Sequence, residues 1–420
     1  MKRRFLAFAL TALLPFPAAR ADTTVKLLEV LSSPERTETL KSLVANFEKQ
    51  NPGTHVEIIS LAWSSAFEKL ATMVAGGDIP DVAEIPDRWL SLYAKSGRLE
   101  NLEPYLAKWP ATAGFDARAL EMARAVDNTA YLIPYGLYLR AMLYNKSVFA
   151  QAGIKTPPKT LDEFREVAKK ISAIPGKYGY CLRGGPGGLN AWVMFGATMA
   201  GNNRFFGADD KSTFTEPGWV KGASYLIELY KDGLAPKDSV NWGFNEVVAG
   251  FYSGTCAMVD QDSDALIAIA QRMKADQFGV APFPKGPAGK GFPTVGYAGW
   301  SIFKGSTHKD LDWKLIQALD DPAANLVWNQ RVGALPVYKT AEKSPVYASP
   351  QLKGWLDELA DPDEVPTLMP TSLPGFAFFA DSLVVKTGQQ ALLGQISAQQ
   401  MATQWAAYLT KAKQKQAGGK

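Results

Sequence analysis

The most chemically distinctive stretch of the chain follows a short apolar run. Residues 82–85 have the length of a buried strand, and Pro86 ends it because proline lacks the backbone N–H that a sheet requires. Asp87, Arg88 and Trp89 come next. A carboxylate accepts hydrogen bonds, a guanidinium donates them and an indole offers an apolar face, so the trio suits a sugar. An N-cap aspartate and a core tryptophan are an equally good interpretation.

The elements before this stretch alternate in type. Strand patterns cover residues 25–31, 55–61 and 82–85, with apolar residues at helical spacing between them. Ser32 and Glu35 have the spacing of a capping box that opens the first helix, and Pro34 suits its first turn. This order of strands and helices predicts a parallel α/β sheet.

The strand-to-helix loops of a parallel sheet share one edge, and ligands bind there. Three loops are therefore expected to meet, at residues 33–35, 63–65 and 87–89. They supply the first candidate ligand contacts, which are Ser33, Glu35, Trp63, Ser64, Asp87 and Arg88.

Residues 1–21 are expected to be removed before the protein folds. They combine a basic start, an apolar run too short to span a bilayer and the small-x-small pattern Ala19-Arg20-Ala21, which predicts a secretory signal peptide and a mature start near Asp22. This segment holds four of the 45 basic residues and none of the 41 acidic ones, so the rest of the chain is formally neutral. That balance gives no support for nucleic-acid binding.

The length of the mature chain, about 400 residues, exceeds one hydrophobic core and predicts two domains. Residues 131–144 are rich in β-forming side chains and long enough to pass from one domain to the other. Cys181 and Cys256 are the two cysteines, and the sequence leaves open whether they form a disulfide or two buried thiols.

A glycine-rich loop at residues 184–188 precedes a helical pattern. It lacks the Lys-Ser/Thr of a phosphate-binding P-loop. Its backbone N–H groups can still approach hydroxyl or anionic oxygens closely, near a helix N-terminus. Gly187, Gly188 and Asn190 are therefore candidate contacts.

Seven short motifs follow one another along the chain in an order and at a spacing that are typical of one protein family. They are Phe-Glu-Lys-Gln-Asn-Pro-Gly at 47–53, Gly-Gly-Asp-Ile-Pro-Asp-Val at 76–82, Leu-Tyr-Asn-Lys at 143–146, Ala-Gly-Ile at 152–154, Pro-Pro-Lys-Thr-Leu-Asp-Glu-Phe at 157–164, Phe-Tyr-Ser-Gly-Thr-Cys-Ala-Met at 251–258 and Gly-Ala-Leu-Pro-Val at 333–337. With this order and spacing, the chain resembles the extracellular solute-binding proteins of carbohydrate ABC importers, the maltose-binding-protein-like family. Leu161 stands where such proteins usually have tryptophan.

The resemblance implies an α/β, two-lobed periplasmic-binding-protein fold of type II. Each lobe is expected to be a mainly parallel sheet flanked by helices, with a multi-strand hinge and the ligand in the cleft. Crossing strands are expected near residues 137–141, 296–300 and 335–338. Lobe 1 is then expected to comprise residues 22–138 with 297–334, and lobe 2 residues 139–296 with 335–420.

The resemblance also assigns binding positions. Asp87 and Arg88 fall where family members contact sugar hydroxyls, and Asp264 falls where many relatives have a stacking tryptophan, which argues against an unmodified oligosaccharide. Arg331 is expected near the hinge and within reach of the ligand. Trp192, Trp242, Trp300 and Phe379 are the candidates for stacking in place of that tryptophan. The remaining candidates are Tyr135, Asp260, Gly296 and Tyr297.

We therefore predict a monomeric periplasmic protein that captures a sugar or sugar derivative and delivers it to an ABC permease, through which alone it meets the membrane. No cofactor, metal site or catalysis is expected. One alternative is the same fold binding an anionic solute such as a phosphoester or sulfonate through Arg331 and residues 184–188. A less favoured alternative is a glycoside hydrolase that pairs Asp87 with Asp260 or Asp264.

Overall fold

A computed structural model describes residues 23–30, 32–345, 347 and 349–418. The predicted signal peptide and the start of the mature chain near Asp22 lie outside the described residues. The strands are β1 (Thr23–Glu29), β2 (Thr54–Ser60), β3 (Val82–Pro86), β4 (Ile133–Asn145), β5 (Tyr178–Tyr180), β6 (Cys256–Asp262), β7 (Phe278–Ala281), β8 (Thr294–Ile302) and β9 (Thr367–Leu368).

The helices surround these strands. In chain order they are α1 (Pro34–Gln50), α2 (Trp63–Gly76), α3 (Asp87–Lys95), α4 (Glu103–Leu106), α5 (Ala117–Ala123), α6 (Lys146–Gln151), α7 (Leu161–Ser172), α8 (Leu189–Ala200), α9 (Pro217–Lys231), α10 (Phe244–Tyr252), α11 (Ala265–Ala270), α12 (Lys309–Leu319), α13 (Pro322–Val332), α14 (Pro350–Ala360), α15 (Phe376–Phe378), α16 (Val384–Leu392) and α17 (Ala398–Gly418). A π-helical turn, Phe379–Leu383, joins α15 to α16, and 3-10 turns cover Pro110–Gly114, Thr213–Thr215, Lys237–Asn241 and Ala341–Lys343. No helix in the described part of the chain combines the length and apolarity needed to cross a bilayer.

The strands follow the order β2-β1-β3-β8-β4-β6-β5. Strand β1 pairs in parallel with β2 and β3, as the alternating sequence pattern predicts, and β5 pairs in parallel with β6. Strand β8 runs antiparallel between β3 and β4. Two parallel groups thus lie at the two ends of the sheet, each with its own helices, and they form the two α/β lobes.

Strand β4 belongs to both lobes. Its residues 133–139 pair with β8, and its residues 140–144 pair with β6. Leu137 and Leu335 add a further crossing, because each backbone N–H donates to the carbonyl oxygen of the other at 3.0 and 2.9 Å. The connection between the lobes is therefore a multi-strand hinge, as expected.

Helix α1 has its cap one residue later than the capping-box spacing predicts. Ser33 is the N-cap, and its Oγ accepts a hydrogen bond from the backbone N–H of Arg36 at 3.3 Å. Pro34 takes the first helical position, where its fixed φ and missing N–H cost nothing. The cap therefore falls on the residue directly before the proline, and Ser32 is not the cap.

The two cysteines form a disulfide and are not free thiols. Cys181 follows β5 and Cys256 begins β6, and the two are joined in a disulfide with a Cα–Cα distance of 5.3 Å. The bond therefore ties together two neighbouring parallel strands of the second lobe.

Glu358 and Glu364 are buried near β9 and have no cationic partner in direct contact among the residues that the structure describes. Glu358 accepts a hydrogen bond from the backbone N–H of Phe283 at 3.0 Å, whereas neither carboxyl oxygen of Glu364 has a hydrogen-bond partner among the described residues. Burial raises the pKa of Glu364 to about 8. Burial and the nearby Glu364 also raise the pKa of Glu358. The fold therefore favours the protonated form of both groups.

We expect the contribution of Glu364 to stability to be complete below pH 4.5 and to disappear as the pH rises to about 8. The reason is that the unfolded glutamate loses its proton near pH 4.5, whereas the folded one retains it. The slope from this group is at most about 1.4 kcal/mol per pH unit. Urea denaturation across this range measures it, and Glu364→Gln should flatten the curve. An identical slope in the variant would contradict the assignment.

Candidate ligand-binding site

A cavity of about 280 Å³ lies between the lobes. The carboxyl ends of β1, β2 and β3 meet there, as the α/β pattern predicts. The predicted contacts that line this cavity are Ser33, Glu35, Trp63, Ser64, Asp87, Arg88, Gly187, Asn190, Asp264, Gly296 and Tyr297. Both lobes and strand β8 thus contribute to one concave surface.

An aromatic wall forms one side of the cavity. The rings of Trp63 and Trp89 stack with centroids 5.4 Å apart and planes 9° apart. Trp89 is buried and its Nε1–H donates to Asp381 at 2.9 Å, so Trp63 provides the face that lines the cavity. The guanidinium of Arg88 lies 5.4 Å from the centre of the Trp63 ring and 3.5 Å from Asp381. Asp381 therefore anchors the wall from the second lobe's π-helical turn.

Two carboxyl groups face the cavity from opposite sides. Asp87 accepts a hydrogen bond from the backbone N–H of Arg88 at 2.7 Å, and burial raises its pKa to about 6. Burial and the neighbouring Asp262 raise the pKa of Asp264 to about 7. Oδ1 of Asp264 has no hydrogen-bond partner within the described residues. Near neutral pH both groups can accept hydrogen bonds from ligand hydroxyls, and in the protonated form they can donate one.

The floor of the cavity is a buried network on β3 and β4. Arg36 Nη2 donates to Glu84 at 2.7 Å, and Glu84 also accepts from the hydroxyl of Tyr135 and from the backbone N–H of Val30 at 2.9 Å. The hydroxyls of Tyr135 and Tyr138 are 2.9 Å apart. Arg36 and Tyr138 line the cavity, and Tyr135 lies one layer below and positions them.

A second buried network supports the opposite wall. Arg140 is 1% exposed and pairs with Asp260 directly and with Asp262 at 3.5 Å. Asp260 also accepts from the hydroxyl of Tyr180. With its amide oxygen facing Arg140, Asn190 accepts from Nη2 at 3.2 Å. Asp262 and Asn190 line the cavity, whereas Asp260 is fully engaged beneath it.

The other predicted contacts lie outside this cavity. Trp192, Trp300 and Phe379 are core residues, packed on Trp405, on Tyr135 with Trp328, and on Tyr408, respectively. Gly188 precedes α8, and Trp242 is half-buried near Gly250. Arg331 is exposed at the end of α13 and lines a neighbouring cavity with Gly333 and Tyr347.

Sequence reasoning missed several residues that line the cavity. They include Arg36, Tyr138, Arg183, Phe244, Asp262, Gln271, Met369 and Phe376. Gln271 reaches across the cavity mouth, and its Nε2–H donates to Glu35 at 2.5 Å. Only Arg183 carries a sequence signal that could have revealed it, because it directly precedes the glycine-rich residues 184–188. The residues that the structure describes contain no cluster of three or more metal-ligating side chains.

The fold and the interlobe cavity define a class of protein. The solved structure of an ABC transporter solute-binding protein from Thermotoga lettingae, bound with alpha-D-tagatose, superposes with a TM-score of 0.82. It shares 22% sequence identity, over 93% of this chain and 100% of that one. This likeness identifies the fold as the two-lobed periplasmic-binding-protein fold of type II.

The family follows from the sequence comparison. The chain belongs to the bacterial extracellular solute-binding proteins, whose profile matches residues 33–326. A binding protein of Brucella abortus (strain 2308) is 28% identical over 338 residues, which are 75% of this chain and 80% of the relative. The multiple sugar-binding protein of Streptococcus mutans is 26% identical over 281 residues, 62% of either chain. Both relatives are binding proteins.

Proposed function

We propose that this protein is the periplasmic substrate-binding component of an ABC importer and captures a sugar or sugar derivative between its lobes. The observation that carries the proposal is the interlobe cavity, where carboxyl groups, guanidinium groups and an indole face converge. Membership of the extracellular solute-binding family supports the same conclusion. Sugar capture is also supported by similarity to two proteins, the multiple sugar-binding protein of Streptococcus mutans and the tagatose-bound structure from Thermotoga lettingae.

The ligand contacts in this proposal are the predicted residues that line the cavity. Asp87 and Asp264 pair with hydroxyl groups, because a carboxyl group whose partner is missing costs about 1–3 kcal/mol and so selects for a complete set of hydroxyls. Trp63 stacks against the weakly polar C–H face of the sugar ring. Candidates outside the cavity, such as Tyr135 and Asp260, act by holding these groups in place.

Transport requires that the lobes move as units. We propose lobe boundaries at 22–138 with 297–334 and at 139–296 with 335–420. The change of partner within β4, from β8 for residues up to Leu139 to β6 from Arg140 onward, supports a boundary in this part of the strand. A ligand that contacts both lobes stabilises the closed form, and the ABC permease recognises that form. The protein acts as a monomer, reaches the periplasm through its signal peptide and meets the membrane only at the permease.

The protein releases its ligand unchanged. Of the two carboxyl pairs weighed for a glycoside hydrolase, Asp87 with Asp260 is unsuited to proton transfer, because Asp260 is occupied by Arg140 and Tyr180. The other pair, Asp87 with Asp264, lines the cavity, and we assign it to hydrogen bonds with ligand hydroxyls. Chromatography of a bound sugar after prolonged incubation should return the sugar intact. The appearance of a hydrolysis product would overturn this part of the proposal.

We expect Trp63→Ala to lower sugar affinity about tenfold or more, because it removes the aromatic face of the cavity. A panel of sugars is first tested for those that raise the melting temperature, since ligand binding stabilises the folded state by mass action. Titration calorimetry then compares the wild type with the variant. Trp63→Phe is the matched control, because it keeps an aromatic ring and should retain most of the affinity. Equal affinities for Trp63→Ala and wild type would remove this residue from the site.

A further inference from the structure

Arg183 presents a positive charge to the cavity without an ion-pair partner. Its side chain lines the cavity although the residue is only 5% exposed. No carboxylate lies within 4.0 Å of its guanidinium among the described residues, and the only hydrogen bond found for it there runs from Nε to the carbonyl oxygen of Pro186, at 2.7 Å. Burial and the nearby Arg140 lower the pKa of Arg183 to about 9. This charge is therefore destabilised by its surroundings and would be stabilised by an anion.

The guanidinium of Arg183 lies close to Gly187 and to the ring of Phe244. Gly187 has φ +87°, and a Cβ atom built on it would lie 2.3 Å from Nη2 of Arg183. Only glycine adopts this φ freely and leaves room for the guanidinium beside it. The Cζ atom of Arg183 also lies 5.8 Å from the centre of the Phe244 ring. The glycine-rich loop thus holds the side chain of Arg183 in place. Its Nη1 and Nη2 groups are then positioned to donate hydrogen bonds to a ligand.

The other arginines that line the cavity are compensated. Arg36 pairs with Glu84 at 2.7 Å, and Arg88 lies 3.5 Å from Asp381. Among the carboxylates of the same wall, Asp262 pairs with Arg140 at 3.5 Å. Among the lining arginines of the described residues, Arg183 is therefore the one without a carboxylate within 4.0 Å, although Asp262 and Asp264 act on its charge from further away.

We propose that the solute bound in this cavity is an acidic sugar with a single carboxylate, such as a uronic or aldonic acid, and that Arg183 binds that carboxylate through two parallel N–H···O bonds. A guanidinium fork matches the geometry of a carboxylate. One unpaired cation calls for one negative charge, and a phosphate carries nearly two at neutral pH. The nearby Asp262 and Asp264 would repel that second charge. The inference depends on the proposed function and narrows its ligand class.

Matched pairs of ligands test this inference. Glucuronate, galacturonate, gluconate and galactonate are each titrated beside the neutral parent sugar, and hexose phosphates form a third arm. We expect at least one carboxylated sugar to bind, and to bind at least tenfold more tightly than its neutral parent and than the phosphates, because charge-assisted hydrogen bonds are the stronger ones.

Variants then assign the difference to one side chain. Arg183→Gln should lower affinity for the acidic sugar about 10- to 100-fold and lower affinity for the neutral parent sugar by a much smaller factor. Arg183→Lys keeps the positive charge but lacks the two parallel N–H donors of the guanidinium. Its affinity for the acidic sugar should therefore lie between those of the wild type and Arg183→Gln. Without ligand, Arg183→Gln should melt within about 3 °C of wild type, because no ion pair is lost. Arg124→Gln, which breaks a remote pair with Glu103, is the control and should leave affinity unchanged.

The outcomes separate this inference from the proposed function. Preferential binding of a neutral sugar or of a phosphate, or an acidic sugar whose affinity is insensitive to Arg183→Gln, would overturn the carboxylate assignment and leave solute capture intact. A large loss of thermal stability in ligand-free Arg183→Gln would show a structural role and also overturn it. If no sugar of any class binds, both proposals fall.

Discussion

Replacing Arg140 by methionine is expected to lower the free energy of unfolding by about 3–5 kcal/mol. The guanidinium is 1% exposed and faces the carboxylates of Asp260 and Asp262 on strand β6. Methionine fills much of the volume but neutralises neither charge, so the interior retains two carboxylates that lack a cation. Denaturant titration followed by tryptophan fluorescence measures the loss.

A surface ion pair provides the comparison for this variant. Arg165 contacts Glu228 and Asp232, whose side chains are 56% and 49% exposed. Arg165→Met should therefore cost at most about 1 kcal/mol, because water replaces the lost partner. Adding Asp260→Asn to Arg140→Met should recover part of the loss by removing one buried charge. Equal losses from Arg140→Met and Arg165→Met would contradict the importance of burial.

Removing the disulfide is expected to lower the free energy of unfolding by about 2–4 kcal/mol. The bond joins residues 75 positions apart, and cross-linking them restricts the unfolded chain far more than the folded one. The double substitution of Cys181 and Cys256 by alanine tests this in urea. Dithiothreitol should lower the midpoint of the wild type and leave that of the double variant unchanged. A wild-type midpoint that is insensitive to reductant would show that the bond contributes nothing to stability.

The first part of the fold could be predicted because its signals are local. Alternating strand and helix patterns set the positions of β1 to β3, and the rule that parallel strands share a ligand-binding edge brought Ser33, Trp63 and Asp87 together. The N-cap of α1 is Ser33 and not Ser32, which the capping-box spacing predicts, because Pro34 takes the first helical position. Strand β4, at the hinge, was expected from its long run of mainly β-forming residues.

Several parts of the site depend on contacts between residues that are far apart in sequence, and no local pattern predicts these contacts. Arg140 and Asp260 are 120 residues apart in sequence, so no local pattern pairs them. The residue type alone also does not show whether an arginine is buried or exposed. Tryptophan is equally ambiguous: Trp63 faces the cavity, whereas Trp300 fills the core, and both follow similar apolar surroundings in sequence. The glycine-rich residues 184–188 predict a close approach of the backbone to a ligand, but no local pattern predicts that Gly187 lies against the guanidinium of Arg183.

The course of β4 has a consequence for protein engineering. Residues on either side of the Leu139–Arg140 bond pair with different strands, β8 and β6, and β8 runs past the same point in the opposite direction. A chimera made by splicing two homologues at one position would therefore mix the halves of both lobes. Exchanging one intact lobe between relatives needs simultaneous junctions in β4, β8 and the segment around Leu335, all within a few ångströms of one another.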